Sequence, residues 1–264
     1  MSFPVIDTSN LFNVKGKVAL IIGATGAFGQ VACSTLGHAG AKLIITAGTK
    51  DTLTTLQKEL ASSGITTTAV NRRSNTEEDC NAIIDAAVEA HGRIDILVIA
   101  SGVNDVAPIV DMSPEQFQAV MMANVEGAWL IARAAGAQMI KQGDGGKVVI
   151  TSSARGKLGH PAGYSAYCTS KSAVDGLTKS LGCEWGKYGI TVNAIAPTVF
   201  RSPLTAWMFA EDAADVRAGF LSRVPIGRLG EPEDLAGPLL FLCSKASDFH
   251  TGHIIYPDGG YTAG

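Results

Sequence analysis

The chain has 264 residues, 46% of them hydrophobic and 17% charged, with a formal net charge of −3. This composition supplies a packed core and excludes a disordered chain. No basic stripe appears, which sets aside nucleic acid and anionic membranes as partners. Five scattered cysteines without C-x-x-C form neither a disulfide framework nor a zinc site, so reduced thiols in a cytoplasmic protein are expected. The five histidines share no ligand spacing, and no metal is expected. The N-terminus has no leader pattern, and no apolar run approaches the roughly 18 residues of a membrane span.

Along the chain, apolar runs alternate with helix-like stretches. The runs are Lys17–Ile22, Lys42–Thr46, a weaker Thr66–Val70, Asp95–Ile99, Lys147–Thr151, Ile190–Ile195 and a short Ile254–Tyr256. Apart from Thr66–Val70 and Ile254–Tyr256, they are apolar rather than alternating, as strands covered on both faces are. Helices are expected near 27–39, 51–63, 76–91, 113–141, 164–188 and 231–243. Ser113-Pro114 offers an N-cap with Pro at the first helical position, and Thr76-Glu77-Glu78-Asp79 places acids on a first turn. Alternating strands and helices predict α/β architecture. The expected fold is a single-domain Rossmann-type doubly wound parallel sheet of about seven strands, helices on both faces, spanning 1–264. A segment of about 1–14 is expected to be flexible. The excursion over 197–223, carrying Trp207, Met208, Phe209 and Phe220, reads either as a substrate lid or as a surface helix pair.

Gly23-Ala24-Thr25-Gly26-Ala27-Phe28-Gly29 closes the first strand and opens the first helix. Glycines there permit a tight turn and close approach of a pyrophosphate, which the free N–H groups of the helix N-terminus attract. Gly23, Thr25, Gly26, Phe28 and Gly29 are therefore candidate dinucleotide contacts. The second strand ends Thr46-Ala47-Gly48-Thr49-Lys50, with no carboxylate to repel a 2′-phosphate and no Arg to clamp one. Thr46 and Thr49 could serve a phosphate weakly, so the cofactor is NADP or NAD, with the balance slightly toward NADP.

Tyr167 and Lys171 lie one turn apart on a predicted helix, so a phenol and an ammonium address one place. A neighbouring cation favours phenolate and brings the Tyr toward acid/base range. Ser152-Ser153 end the preceding strand, where parallel sheets bind ligands. Asn124, flanked by Met122, Ala123 and Val125 within 113–141, is expected to be buried and in need of partners.

Together these motifs resemble the short-chain dehydrogenase/reductase family. The likeness runs from Lys17 to Gly260 through the glycine turn, D-I-L-V-I-A-S-G (95–102), N-V-E-G (124–127), S-S-A-R-G (152–156), Y-C-T-S-K (167–171), V-N-A-I-A-P-T (192–198) and D-G-G-Y (258–261). The resemblance implies hydride transfer between a secondary alcohol or its ketone and a nicotinamide dinucleotide, and a homotetramer. It implies Tyr167 as general acid/base, Ser153 orienting the substrate oxygen, Lys171 lowering the Tyr pKa and holding the nicotinamide ribose, and Asn124 positioning a water. Ala100 and Gly102 would line the cofactor site. The stretch 197–204, with Pro197 and with Ser202 in place of a usual threonine, resembles the family's nicotinamide-contacting loop.

Several residues depart from the family pattern. The glycine spacing is one residue tighter than usual, N-N-A-G appears as Ile99-Ala100-Ser101-Gly102, and Thr198 replaces a glycine. The loss of both asparagines means that the fourth strand must be stabilised by other residues. Arg72, followed by Arg73, stands where an Asp usually meets adenine; it could stack on the base, reach a 2′-phosphate, or be solvated. Arg155, His160 and Trp207 are candidates for the substrate pocket, and aryl or alicyclic ketones, sugar acids and 3-oxoacyl thioesters all remain open. A non-catalytic dinucleotide sensor and a nicotinamide-dependent epimerase are the alternatives. A serine hydrolase is set aside because Gly163-Tyr164-Ser165-Ala166-Tyr167 lacks the second glycine of a nucleophile elbow.

Overall fold

The structure, a computed structural model, describes residues 7–264. Seven strands, β1 (Val18–Ile22), β2 (Lys42–Thr46), β3 (Thr67–Val70), β4 (Ile96–Ile99), β5 (Gly146–Thr151), β6 (Ile190–Ile195) and β7 (Ile254–Ile255), form one parallel sheet in the order β3-β2-β1-β4-β5-β6-β7. Among the described residues the α-helices are α1 (Ala27–His38), α2 (Lys50–Ser62), α3 (Glu77–His91), α4 (Pro114–Met121), α5 (Gly127–Gln142), α6 (Ser165–Trp185), α7 (Ala214–Leu221) and α8 (Glu233–Cys243).

The continuous apolar runs have a direct physical reading, because successive strand residues serve opposite faces. Ala19, Ile21, Leu43, Ile45, Ile96 and Val98 pack against Leu36 of α1, Leu53 and Leu56 of α2 and Leu239 of α8. Leu20, Ile22, Ile44, Leu97 and Ile99 pack instead against Ile83 of α3, Ile131 of α5 and Trp185 of α6. The weaker Thr66–Val70 run is the edge strand β3, where partial exposure tolerates threonines. Without the family asparagines, β4 is tied at its start by other groups. Asp95 accepts the Val18 N–H at 2.9 Å, and the Gln142 amide clamps both the N–H and the carbonyl of Ile94 at 2.9 and 2.8 Å.

The helix expected over 113–141 is interrupted. Between α4 and α5 a π-helical turn spans Met122–Glu126. Just beyond it the backbone runs close to a neighbour: a Cβ at Gly127 would stand 2.9 Å from the Ser74 carbonyl, so α5 lies against the loop after β3. The wider turn buries Asn124 at 2% exposure. Of the N-terminal segment expected to be flexible, residues 1–6 lie outside the described residues. Val14 is buried, and the Leu11 carbonyl accepts from the Ala246 N–H at 3.0 Å. No helix among the described residues is long and apolar enough to cross a membrane.

Strand order reverses direction between β1 and β4, and this switch point opens a crevice beyond the carboxyl ends of the strands. The residues following β1, β4, β5 and β6 all converge there.

Candidate active site

The β1–α1 turn is shaped for close approach. Gly23 has φ +75°, and a Cβ there would lie 2.7 Å from the Ser101 nitrogen after β4. A Cβ on Gly29 would collide with the Gly23 carbonyl, and Gly26 occupies the N-cap of α1. Phe28 is buried in the core, so only its backbone faces the turn. The cleft beside this turn measures about 280 Å³ and is lined by Gly23, Thr25, Gly26, Thr46, Thr49, Arg72, Arg73, Ala100 and Gly102 among others. Thr46 Oγ1 and Ser101 Oγ are buried in its walls with no hydrogen-bond partner. Buried hydroxyls without partners at a helix N-terminus suit a polar, anionic ligand, and these residues fit a dinucleotide.

Arg72 and Arg73 both line this cleft and differ in their pairing. The Arg72 guanidinium pairs with Asp79 at 2.7 Å. Arg73 lies across Gly48, where any Cβ would collide with it, and makes no ion pair among the described residues. Of the two, Arg73 is the cation without an ion-pair partner, and no sequence signal separates them.

At the end of β5, Ser153 caps a short 3₁₀ turn (Ala154–Gly156), its Oγ accepting the Arg155 N–H at 3.2 Å. The Ala154 N–H donates to the Pro197 carbonyl at 3.0 Å, which joins the loops after β5 and β6. On α6, Tyr167 is largely buried opposite Ser153. Burial raises the phenol above its ordinary pKa, and the Ser153 hydroxyl pulls it partly back. The expected lowering by Lys171 is not seen. Its Nζ stands 5.6 Å from the centre of the Tyr167 ring and donates to the Thr151 carbonyl at 2.8 Å. Lys171 is itself 3% exposed, and burial pushes its amine down to about 8. Loss of water around the phenol sets the direction of the shift.

Asn124 spends its amide on structure. Its Oδ1 accepts the Val103 N–H at 2.7 Å, and its Nδ2 donates to the Val103 carbonyl and to Ser170 Oγ, both at 2.9 Å. Ser170 in turn donates to the Tyr167 carbonyl at 2.8 Å, which makes it a link that the sequence reading missed. Gly102 lies between Asn124 and Lys171: a Cβ there would meet Oδ1 at 3.2 Å and Nζ at 3.4 Å. Asp175 was also missed, although it lies one turn beyond Lys171 on the same face. It is buried, accepts from Ser152 Oγ at 2.6 Å, and is held above the usual carboxylate range chiefly by burial.

The region 197–223 holds two 3₁₀ turns (Ala206–Phe209 and Glu211–Ala213) followed by α7. Its apolar residues do not converge on a common wall. Trp207 is 57% exposed, Met208 is buried, Phe209 lies under the Arg201 guanidinium at 3.9 Å, and Phe220 stacks on Tyr261 at 5.0 Å. Ser202 turns to Thr205, the hydroxyls being 2.8 Å apart. His160 accepts the Ala162 N–H at Nδ1, and its ring lies 4.4 Å from that of Tyr164. Burial, then the charges of Arg155 and Arg223, lower its pKa.

Residues 23–262 match the family described as enoyl-(acyl carrier protein) reductase. An uncharacterized oxidoreductase of Mycobacterium tuberculosis is 49% identical over 255 residues, covering 96% of this chain and 93% of the relative. The 2-dehydro-3-deoxy-D-gluconate 5-dehydrogenase of Dickeya dadantii is 36% identical over 263 residues, covering 96% of this chain and 98% of its own. The chain belongs to the short-chain dehydrogenase/reductase family. This short-chain dehydrogenase/reductase is also similar in structure to a gluconate 5-dehydrogenase from Burkholderia cenocepacia in complex with NADP and tartrate. The TM-score is 0.89 at 30% identity, covering 97% of this chain and 98% of the other. As a member of this family it is an NAD(P)-dependent oxidoreductase.

Proposed function

We propose that the enzyme interconverts a secondary alcohol and its ketone, with Tyr167 as general acid/base and NADP as the preferred cofactor. The observation that carries this reading is the convergence of Ser153, Tyr167 and Lys171 at the end of β5, with Lys171 buried beside the Tyr ring. When bound in the cleft at the switch point, the dinucleotide supplies or takes up the hydride. The chain's own residues handle the oxygen and its proton.

In the reducing direction the Tyr167 hydroxyl transfers its proton to the carbonyl oxygen, while Ser153 donates a second hydrogen bond to that oxygen. The Arg155 N–H occupies a lone pair of Ser153 and leaves its hydrogen free to point at substrate. A phenol held above its ordinary pKa stays protonated at neutral pH, which suits an acid. The charge left on Tyr167 is met by the Lys171 ammonium. One of the three ammonium donors is fixed on Thr151, and two remain for ribose hydroxyls. With both Nδ2 hydrogens used, Asn124 orders a water through the free lone pair of Oδ1. Pro197 and Ser202 border the nicotinamide, and 197–223 acts as the substrate lid with Trp207 on its outer side.

Arg73 supports the preference for NADP, since it reaches the second-strand end with no acid to neutralise it. Arg73→Ala is expected to raise KM for NADP by about 10- to 50-fold, the size of a lost charge-assisted contact, with little change for NAD. Equal effects on both cofactors would assign Arg73 a structural role instead. Trp129, Phe117, Met122 and Ile140 leave apolar surface exposed on α4, the π turn and α5, which supports a homotetramer. Light scattering is expected to give four times the chain mass.

The test of the reaction is a screen of sugar acids, alicyclic and aryl ketones and 3-oxoacyl thioesters with NAD(H) and NADP(H), followed by nicotinamide absorbance. Bound dinucleotide with no turnover of any member would favour the non-catalytic sensor. Conversion without net absorbance change would favour the epimerase.

A further inference from the structure

Arg155 and Arg223 come together on one aromatic ring. The Arg155 guanidinium carbon lies 5.5 Å and that of Arg223 4.5 Å from the centre of Tyr261, which is 2% exposed and stacked on Phe220. Two like charges held together cost Coulomb energy unless an anion answers them. Neither guanidinium pairs with a carboxylate among the described residues. The nearby Asp258 is occupied by the N–H groups of Gly260 and Thr262, each at 2.9 Å. Arg228 is held away by Asp234 at 2.6 Å.

The donors are free and partly fixed. Arg155 uses two of its five N–H groups, on the Gly159 carbonyl at 3.0 Å and the Tyr261 hydroxyl at 3.1 Å, which fixes its plane and leaves three. His160, within the field of both arginines and accepting at Nδ1, presents Nε2–H as a neutral donor. Arg155 is also two residues from Ser153, its backbone N–H donates to Ser153 Oγ, and its charge acts on the Tyr167 phenol, so the cluster adjoins the reacting oxygen.

We infer that Arg155 and Arg223, gathered over Tyr261, form a carboxylate-binding subsite beside Ser153 and Tyr167, so that the substrate is a hydroxy acid or keto acid. Arg155 binds one carboxylate edge and Arg223 closes on it from the lid, with Tyr261 positioning both. This deepens the hydride-transfer reading and rests on it only for the place of the reacting carbon. Aryl ketones without an acid group would leave both arginines unanswered and are expected to be poor substrates.

Binding to the NADP complex, read by ligand-observed NMR, tests the subsite without requiring turnover. The probes are D-gluconate, tartrate and lactate, with D-glucitol as the neutral match to gluconate. The wild type is expected to bind a carboxylate probe at least about 10-fold more tightly than D-glucitol. R155M and R223M should each remove most of that difference and leave D-glucitol and NADP binding unchanged, while R155K restores part of it. Arg223 is exposed, so R223M decides the matter even where R155M lowers stability. Equal binding of charged and neutral probes, or variants that weaken both alike, would overturn the subsite. Loss of the Tyr167 role, by contrast, would show only in turnover.

Discussion

Replacing Tyr167 by Phe is expected to lower kcat by about 10³-fold or more, a general acid/base effect with the loss of one oxyanion donor added. The NADP dissociation constant should stay within about twofold, because the glycine turn and the second-strand end are untouched. The removed atom is one hydroxyl, and Phe keeps the ring that packs beside Lys171 and Tyr164. Burial raises the Tyr167 pKa, so the reduction rate should be level through neutral pH and fall only as pH rises through that pKa. The oxidation rate should climb over the same alkaline range, because there Tyr167 must accept a proton. Steady-state rates in both directions against pH check this, and a Phe variant with near-normal turnover would remove Tyr167 from the chemistry.

Lys171→Met is the second large effect, and it separates activity from stability. Loss of the buried ammonium should reduce kcat/KM by about 10²- to 10³-fold, with no cation left to answer the phenolate. The folded amine titrates at about 8 against 10.5 unperturbed, a difference worth on the order of 3 kcal/mol. Between those values the unfolded chain binds more protons, so Lys171 adds stability as pH rises from about 8 to 10.5 and costs stability below. At pH 7 the variant regains that cost, offset by the Thr151 carbonyl left without its donor, about 1–3 kcal/mol. Denaturation of the two proteins should therefore give the variant equal or slightly higher stability at pH 7. The difference should shift toward the wild type by pH 10. Asp175, buried one turn away, moderates the shift by favouring the ammonium. A variant several kcal/mol less stable at pH 7 would mean that Lys171 is a structural support rather than a functional strain.

Strands and the glycine turn were legible to within a residue or two because their signals are short-range. A strand covered on both faces is apolar nearly throughout: β1 and β4 are wholly so, β2 and β5 keep apolar centres, and β6 admits only Thr191 and Asn193. Tyr167 and Lys171 share a face by helical geometry alone, and the glycines after β1 have steric work that few other residues can do. The π turn was not legible. Met122–Glu126 keeps helical composition, and the break coincides with contacts to distant segments, Gly127 against the Ser74 carbonyl and Asn124 on Val103.

The same limit applies around the pocket. Local pattern carried the doubly wound class, the glycine turn and the shared face of Tyr167 and Lys171, since each depends on residue type and spacing within one element, while Asn124 and Ser153 were singled out by the resemblance of the whole motif set. Which of Arg72 and Arg73 is left without an ion-pair partner depends on Asp79 capturing one of them. The aromatic residues of 197–223 disperse because Tyr261 and Arg201 claim two of them. The direction of the Tyr167 shift turned on burial, a quantity that exists only once α6 is packed over β6 and the turn after β5. The meeting of Arg155 and Arg223 on Tyr261 joins three distant segments. Contacts of that kind are fixed by the packing of whole elements, and no spacing along the chain encodes them.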